Sequence, residues 1–249
     1  MKLRRNPCGR AMKLPRVQLC VALLAPLLAA CESTPTVSDL GYDGPPASLI
    51  FFNGIVLTMD ATEGRAQAVA LHQDSVIRVG SDEIVLELAY STTTLVDLGG
   101  ATVLPGIVDA HTHLFNDAHR LGLDLLGGQR LALENGITTL ANLFVDPSFV
   151  PQMQDLAASG DLRIRTSLYL IYTNNCGVPQ GDWWKGHPPT RVRGERLRIG
   201  GVKLFTDGGT CGEPAVSVEF EEGSGFGDLY LTSEDIAVAV AANRRMWEM

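Results

Sequence analysis

Apolar and polar positions alternate along this chain in two successive rhythms. Between residues 48 and 98, short apolar runs are separated by polar turns: Ser48–Phe52, Ile55–Asp60, Gln67–His72, Ser75–Val79 and Thr93–Leu98. Runs of this length, bounded by turn residues, are predicted strands. Asn53-Gly54 separates the first two, and Asn-Gly is the strongest short signal for a hairpin. Gln73-Asp74 separates the third and fourth, and a helical stretch around Ser81–Ala89 precedes the fifth. So few strands cannot close a barrel, but they suffice for part of a small β-sandwich.

From residue 101 the rhythm becomes strand, loop and helix. Strands are predicted at Val103–Ala110, Gly136–Val145, Leu162–Tyr172 and Gly200–Phe205, with helices near Gly127–Glu134 and Pro151–Ala158. A last helix starts at Ser233, taken as its N-cap, with Glu234 and Asp235 in the first turn. Strands apolar on both faces and separated by helices imply a parallel sheet covered on both sides. Four such units make half of a (β/α)8 barrel, which takes about 250 residues when complete. The expected fold class is therefore α/β: an incomplete (β/α)8 TIM-like barrel of about four βα units over 101–249, preceded by a partial small β-sandwich over 48–100. The long connection Asn174–Leu197, with Trp183 and Trp184, suits either a loop over the barrel mouth or a plain surface excursion.

The first 30 residues differ from both rhythms. They hold six bases and no acid, and they end in the apolar run Val17–Ala30. That run is shorter than the ~20 residues a membrane-spanning helix needs, and it fits an export signal. Its end, Leu28-Ala29-Ala30-Cys31, resembles the lipobox of bacterial lipoproteins. The resemblance implies a signal peptide over 1–30, lipidation at Cys31 and a flexible tether over 31–47. The expected location is the periplasmic side of a bacterial membrane, and the outer one, since Glu32 rather than an aspartate follows the cysteine. An ordinary secretory signal with a chance cysteine is the alternative. Cys176 and Cys211 would then lie in an oxidising compartment, where they either pair or are unrelated.

The formal net charge is −8, and with the basic leader set aside the remainder carries twice as many acids as bases. So acidic a body is a poor binder of nucleic acid.

Candidate chemistry concentrates in Pro105–His113, PGIVDAHTH. On a strand, Asp109, His111 and His113 share one face. Two imidazoles so spaced can hold one metal ion, and they fall at the strand's C-terminal end, where barrel enzymes keep their active sites. Taken alone, His-x-His is a weak signal. In company with ASLIFFNGIVLTMD, DLGGATVLPGIVDAHTHL, ALENGITTLANL and GGVKLFTDGG, in order between residues 48 and 240, it resembles the successive blocks of the amidohydrolase superfamily.

That resemblance implies a barrel holding one or two divalent metals, most often zinc, at the strand ends. His111 and His113 match the first-strand ligands, and Lys203 the fourth-strand lysine that many members carboxylate to bridge two metals. Lys203 is also unusual on its own account, because an unpaired ammonium inside GGVKLF is costly to bury; the bland reading has it leaning out to solvent. Asp207 shares its parity and would either line the pocket or serve a turn. The implied reaction is hydrolysis of a C–N bond in a small amide-type substrate by metal-activated water, with a carboxylate moving the proton. The same pattern asks for histidines on the fifth and sixth strands and an aspartate on the eighth, yet no histidine follows Lys203. The chain is therefore expected to be a fragment of such an enzyme; a non-catalytic, lipid-anchored binding protein with a partial metal site is the alternative.

Overall fold

The computed structural model describes residues 44–61, 64–190, 192, 194–221 and 225–247. The proposed signal peptide, Cys31 and most of the tether lie outside the described residues.

The N-terminal strands form two sheets. One has the order β5-β4-β1-β6, from β1 (Leu49–Phe52), β4 (Ala68–His72), β5 (Ser75–Gly80) and β6 (Thr94–Asp97). The other has the order β3-β2-β7, from β2 (Ile55–Leu57), β3 (Arg65–Ala66) and β7 (Thr102–Val103). Ile50, Val56, Ala68, Val69 and Ala70 are buried among them. Helix α1 (Asp82–Leu86) is capped by Ser81, whose side chain accepts from the Ile84 amide, and Val85 beneath it is fully buried.

The hairpin expected at Asn53-Gly54 is not there. β1 pairs with β4 and β6, whereas β2 pairs with β3 and β7, so the dipeptide carries the chain from one sheet to the other. Asn53 is left-handed (φ 56°), as its side chain tolerates. Its amide donates to Asp82 Oδ1 (2.9 Å) and its Nδ2 to Asp97 Oδ1 (2.7 Å). Gly54 is needed for space rather than for a turn: a Cβ there would run into Leu98 and the carbonyl of Ala101. The Gln73-Asp74 loop does form a two-residue hairpin, with His72 opposite Ser75 and Gln73 at φ 53°.

The strand expected at 103–110 also divides. Thr102–Val103 belongs to the small sheet, parallel to β2, and the first barrel strand, β8 (Ile107–Thr112), begins later. Pro105 lies between them; a residue without an amide hydrogen suits such a break.

From there the chain builds one parallel sheet of order β11-β10-β9-β8, with β9 (Ile137–Val145), β10 (Arg165–Ile171) and β11 (Leu197–Lys203). Helices α3 (Leu125–Glu134) and α4 (Phe149–Ala158) bridge successive strands. Asp124 caps α3 through the Gly127 amide (2.7 Å), and Asp146 Oδ1 gathers the Ser148 and Phe149 amides where α4 opens. Leu140, Val145, Val150, Met153, Leu162, Ile164, Leu168 and Leu170 make the core. Gln129 is one of the buried polar residues, 3% exposed. Its Nε2 donates to the Asp161 carbonyl (2.8 Å) and its Oε1 accepts from the Arg163 amide (2.5 Å), fastening α3 to the entry of β10.

The connection after β10 is more than a surface excursion. Trp184 is 1% exposed and packs in the core beside Tyr172, so the loop is pinned from beneath. The last helix, α5 (Ser233–Trp247), is capped by Thr232 rather than Ser233. Thr232 Oγ1 accepts from the Asp235 amide (3.1 Å) while the Asp235 carboxylate accepts from the Thr232 amide (2.9 Å), a reciprocal capping pair.

Candidate metal centre

The C-terminal ends of the barrel strands bring the predicted chemistry together. His111 lies near the end of β8, and His113 follows as the residue that opens the short helix α2 (Leu114–Asp117). Their rings stand 5.5 Å apart, edge to face. The His111 amide donates to Asp109 Oδ1 (3.1 Å), the Leu114 amide to Thr112 Oγ1 (3.2 Å), and the Asp117 amide to the His113 carbonyl (2.8 Å). These bonds set the turn that follows the strand.

From this pair a row of rings crosses the mouth to the fourth strand. His113 packs against Phe144 (6.1 Å between centroids), Phe144 against Phe205 (6.0 Å), and the Lys203 ammonium lies over the Phe205 ring. His113 is half-buried. Burial, chiefly, and the charges of His111 and Lys203 push its imidazole below the usual histidine range, against a smaller opposing pull from Asp117. A neutral imidazole is the form that binds metal. His113 Nδ1 is moreover buried and has no hydrogen-bond partner among the described residues.

Two imidazoles, one with an unpartnered ring nitrogen, fit the nitrogen-donor half of a divalent metal site. Among the described residues no group of three or more His, Cys, Asp or Glu side chains converges, so a further donor of those types is not supplied there. Lys203 is close enough for its charge to bear on His113, and as a carbamate it would offer oxygen in place of ammonium.

Asp207 anchors the loop that follows β11. Its carboxylate accepts from the Ala215 amide (3.3 Å), and its backbone bridges to Leu229. Cys176 and Cys211 are joined in a disulfide that ties the loop after β10 to the loop after β11. Thr210 Oγ1, donating to the Asn175 carbonyl (3.0 Å), reinforces that tie. Of the remaining histidines, His119 is exposed, with Nδ1 on the Asn116 carbonyl, and His187 lies beside Trp183.

Phe144, Phe205 and Asn142 escaped the sequence reading. Asn142 alone carried a signal: it is a polar residue inside the apolar run ITTLANLFV, and it is fully buried. The phenylalanines look like any core residue in a strand.

No family model matches the chain. It is 38% identical over 52 residues to an imidazolonepropionase of Fusobacterium nucleatum (21% of this chain, 13% of that protein). It is 42% identical over 69 residues to a 5-methylthioadenosine/S-adenosylhomocysteine deaminase of Syntrophobacter fumaroxidans (27% of this chain, 16% of that protein). Its fold matches that of an uncharacterised metal-dependent hydrolase from Pyrococcus furiosus with a TM-score of 0.69 at 14% identity, over 80% of this chain and 65% of that one. Over these stretches the chain is similar to enzymes of the amidohydrolase type, and it shares the fold of a metal-dependent hydrolase. The matched stretches make up less than a fifth of the length of each of the two curated relatives. The parallel sheet is accordingly the partial barrel expected, with His111, His113 and Lys203 at one end of its strands.

Proposed function

We propose that this chain carries the first half of a metal-dependent active site that hydrolyses C–N bonds in small amide-type or cyclic amide substrates. The observation that carries the reading is the convergence of His111, His113 and Lys203 at the C-terminal ends of parallel strands, with His113 Nδ1 buried and without a hydrogen-bond partner among the described residues. His111 and His113 would hold the ion through ring nitrogens, and Lys203, once carboxylated, would join them as an oxygen donor. Bound there, a divalent metal such as zinc would supply Lewis-acid chemistry, polarising a scissile carbonyl and activating water near neutral pH. Phe144 and Phe205 lie between His113 and Lys203 and give that side of the site an aromatic lining.

The reading includes two further parts. Four βα units are half of those that close a barrel, and a complete ligand set of this kind needs donors beyond His111, His113 and Lys203. The Val17–Cys31 pattern supports export and a lipid anchor at Cys31, on the periplasmic side of a bacterial membrane.

Metal analysis of the purified chain beside a His111→Ala/His113→Ala pair tests the core of the proposal. Near-stoichiometric zinc in the parent and none in the pair supports it. Equal metal in both overturns it and leaves the binding-protein alternative.

A further inference from the structure

Asn142 is fully buried in β9, whose other described positions are mostly apolar. A primary amide is costly there unless its hydrogen bonds are used, and Asn142 uses only its donor side: its Oδ1 is buried without a partner among the described residues. Its Nδ2 donates to Oδ1 of Asn116 at 2.6 Å, joining parts of the chain 26 residues apart. The Cα register sets Asn142 opposite Thr112, the residue between the two histidines, and Asn116 lies three residues beyond His113.

The element that carries Asn116 cannot hold its own shape. α2 has four residues and opens at His113 without a side-chain cap, far below the length at which a helix persists alone. The bonds from Leu114 to Thr112 and from Asp117 to His113 are local. Phe115 packs into the core, which fixes depth but not direction. The asparagine bond is directional, and it ties the turn to the second barrel strand.

We propose that Asn142 and Asn116 form a strut that positions His113, holding the turn so that its ring faces His111 and Phe144 at the barrel mouth. Neither asparagine touches the reacting atoms; both act through the backbone of α2. The purpose of the strut rests on the reading of His113 as a ligand, but its geometry does not.

The test uses the full chain, with histidines labelled at the ring nitrogens, in the parent and in Asn116→Ala, Asn116→Asp and Asn142→Leu. Asn116 is half-buried, so its variants keep the core intact. In metal-free protein, Asn116→Ala should shift and broaden the His113 ring signals and leave those of His72 unmoved. Asn116→Asp retains an acceptor for the Asn142 amide and should restore the parent spectrum. With zinc, Asn116→Ala should weaken binding roughly tenfold, the scale found when outer partners of metal ligands are removed, and Asn116→Asp should recover it. Unchanged His113 signals in Asn116→Ala, or equal disturbance in both Asn116 variants, would overturn the strut. If the signals follow the pair while even the parent binds no zinc, the strut stands and the hydrolase reading falls.

Discussion

The Lys203 ammonium lies 4.9 Å from the centre of the Phe205 ring, two residues further along its own chain. An aromatic face attracts a cation and repels an anion, an effect worth about 0.5–2 kcal/mol. Lysine as the free cation therefore has a partner in the metal-free protein, and a carbamate loses that partner unless a metal replaces it. Carbon-13 bicarbonate should give a carbamate signal in the presence of zinc and none in its absence. A signal of equal strength without metal would show that the ring does not gate the modification. Lys203→Arg, which keeps the charge over the ring but cannot be carboxylated in the same way, should fold like the parent and hold zinc at least tenfold more weakly, by the scale seen at supporting groups of metal sites.

Gln129 spans three backbone groups at the entry of β10, and its loss should be felt globally. Gln129→Leu leaves the Asp161 carbonyl and the Arg163 and Ile164 amides without their partner. Buried orphans cost about 1–3 kcal/mol each, so denaturant unfolding should show a loss of about 2–4 kcal/mol. The neighbouring Arg130–Glu134 pair is exposed at 4.0 Å, and Arg130→Ala should change stability by less than about 0.5 kcal/mol. Equal losses in the two variants would mean that the buried amide is not a structural fastening.

The Cys176–Cys211 bridge closes a span of 35 residues. On the chain-entropy account, a loop of that length stabilises the folded protein by about 3–4 kcal/mol. Unfolding with and without reductant should differ by that order, and a Cys176→Ser/Cys211→Ser variant should match the reduced parent and be insensitive to reductant. No difference between oxidised and reduced protein would remove the bridge from the account of stability.

Acid should loosen the start of α5. The Thr232 hydroxyl first, and then the Thr232 amide, hold the Asp235 carboxyl below the usual carboxylate range. A folded-state value below the unfolded one means that the stabilisation is present above the unfolded value, about 3.9, and is lost as pH falls through the folded one. Asp97 has the same sign, through the Gly99 amide and then the Asn53 side chain. Hydrogen exchange in the first turn of α5 should quicken on the acid side, and Thr232→Val should flatten that dependence. Exchange that is independent of pH in the parent, once corrected for intrinsic rates, would contradict it.

What was legible in the sequence followed from periodicity. The alternation of His111 and His113 places them on one face wherever a strand runs, and long runs apolar on both faces announce a parallel sheet. The errors arose where two physical reasons select the same residue. Asn53-Gly54 looks like a hairpin because glycine frees the backbone, but here Gly54 is chosen for lack of a side chain beside Leu98. Thr232 and Ser233 are both good caps, and the carboxylate of Asp235 decides between them. Trp184 and Gln129 lie in a polar loop and on a helix, where no local pattern tells that one is buried and the other fastened beneath the core. The ring row from His113 to Phe205 joins three separate segments, and one-dimensional order cannot display it.

β1 and β2 are neighbours in sequence, yet each is flanked in its sheet by a strand from Thr94–Val103. The four-stranded sheet therefore cannot be completed during synthesis until residue 97 has left the ribosome, and the three-stranded one not until residue 103, by which time the first barrel strand is about to follow. Pairings between distant segments also form slowly. The last strand of the N-terminal sheets and the first barrel strand thus emerge almost together, but that barrel strand then waits for β9, its partner in the parallel sheet.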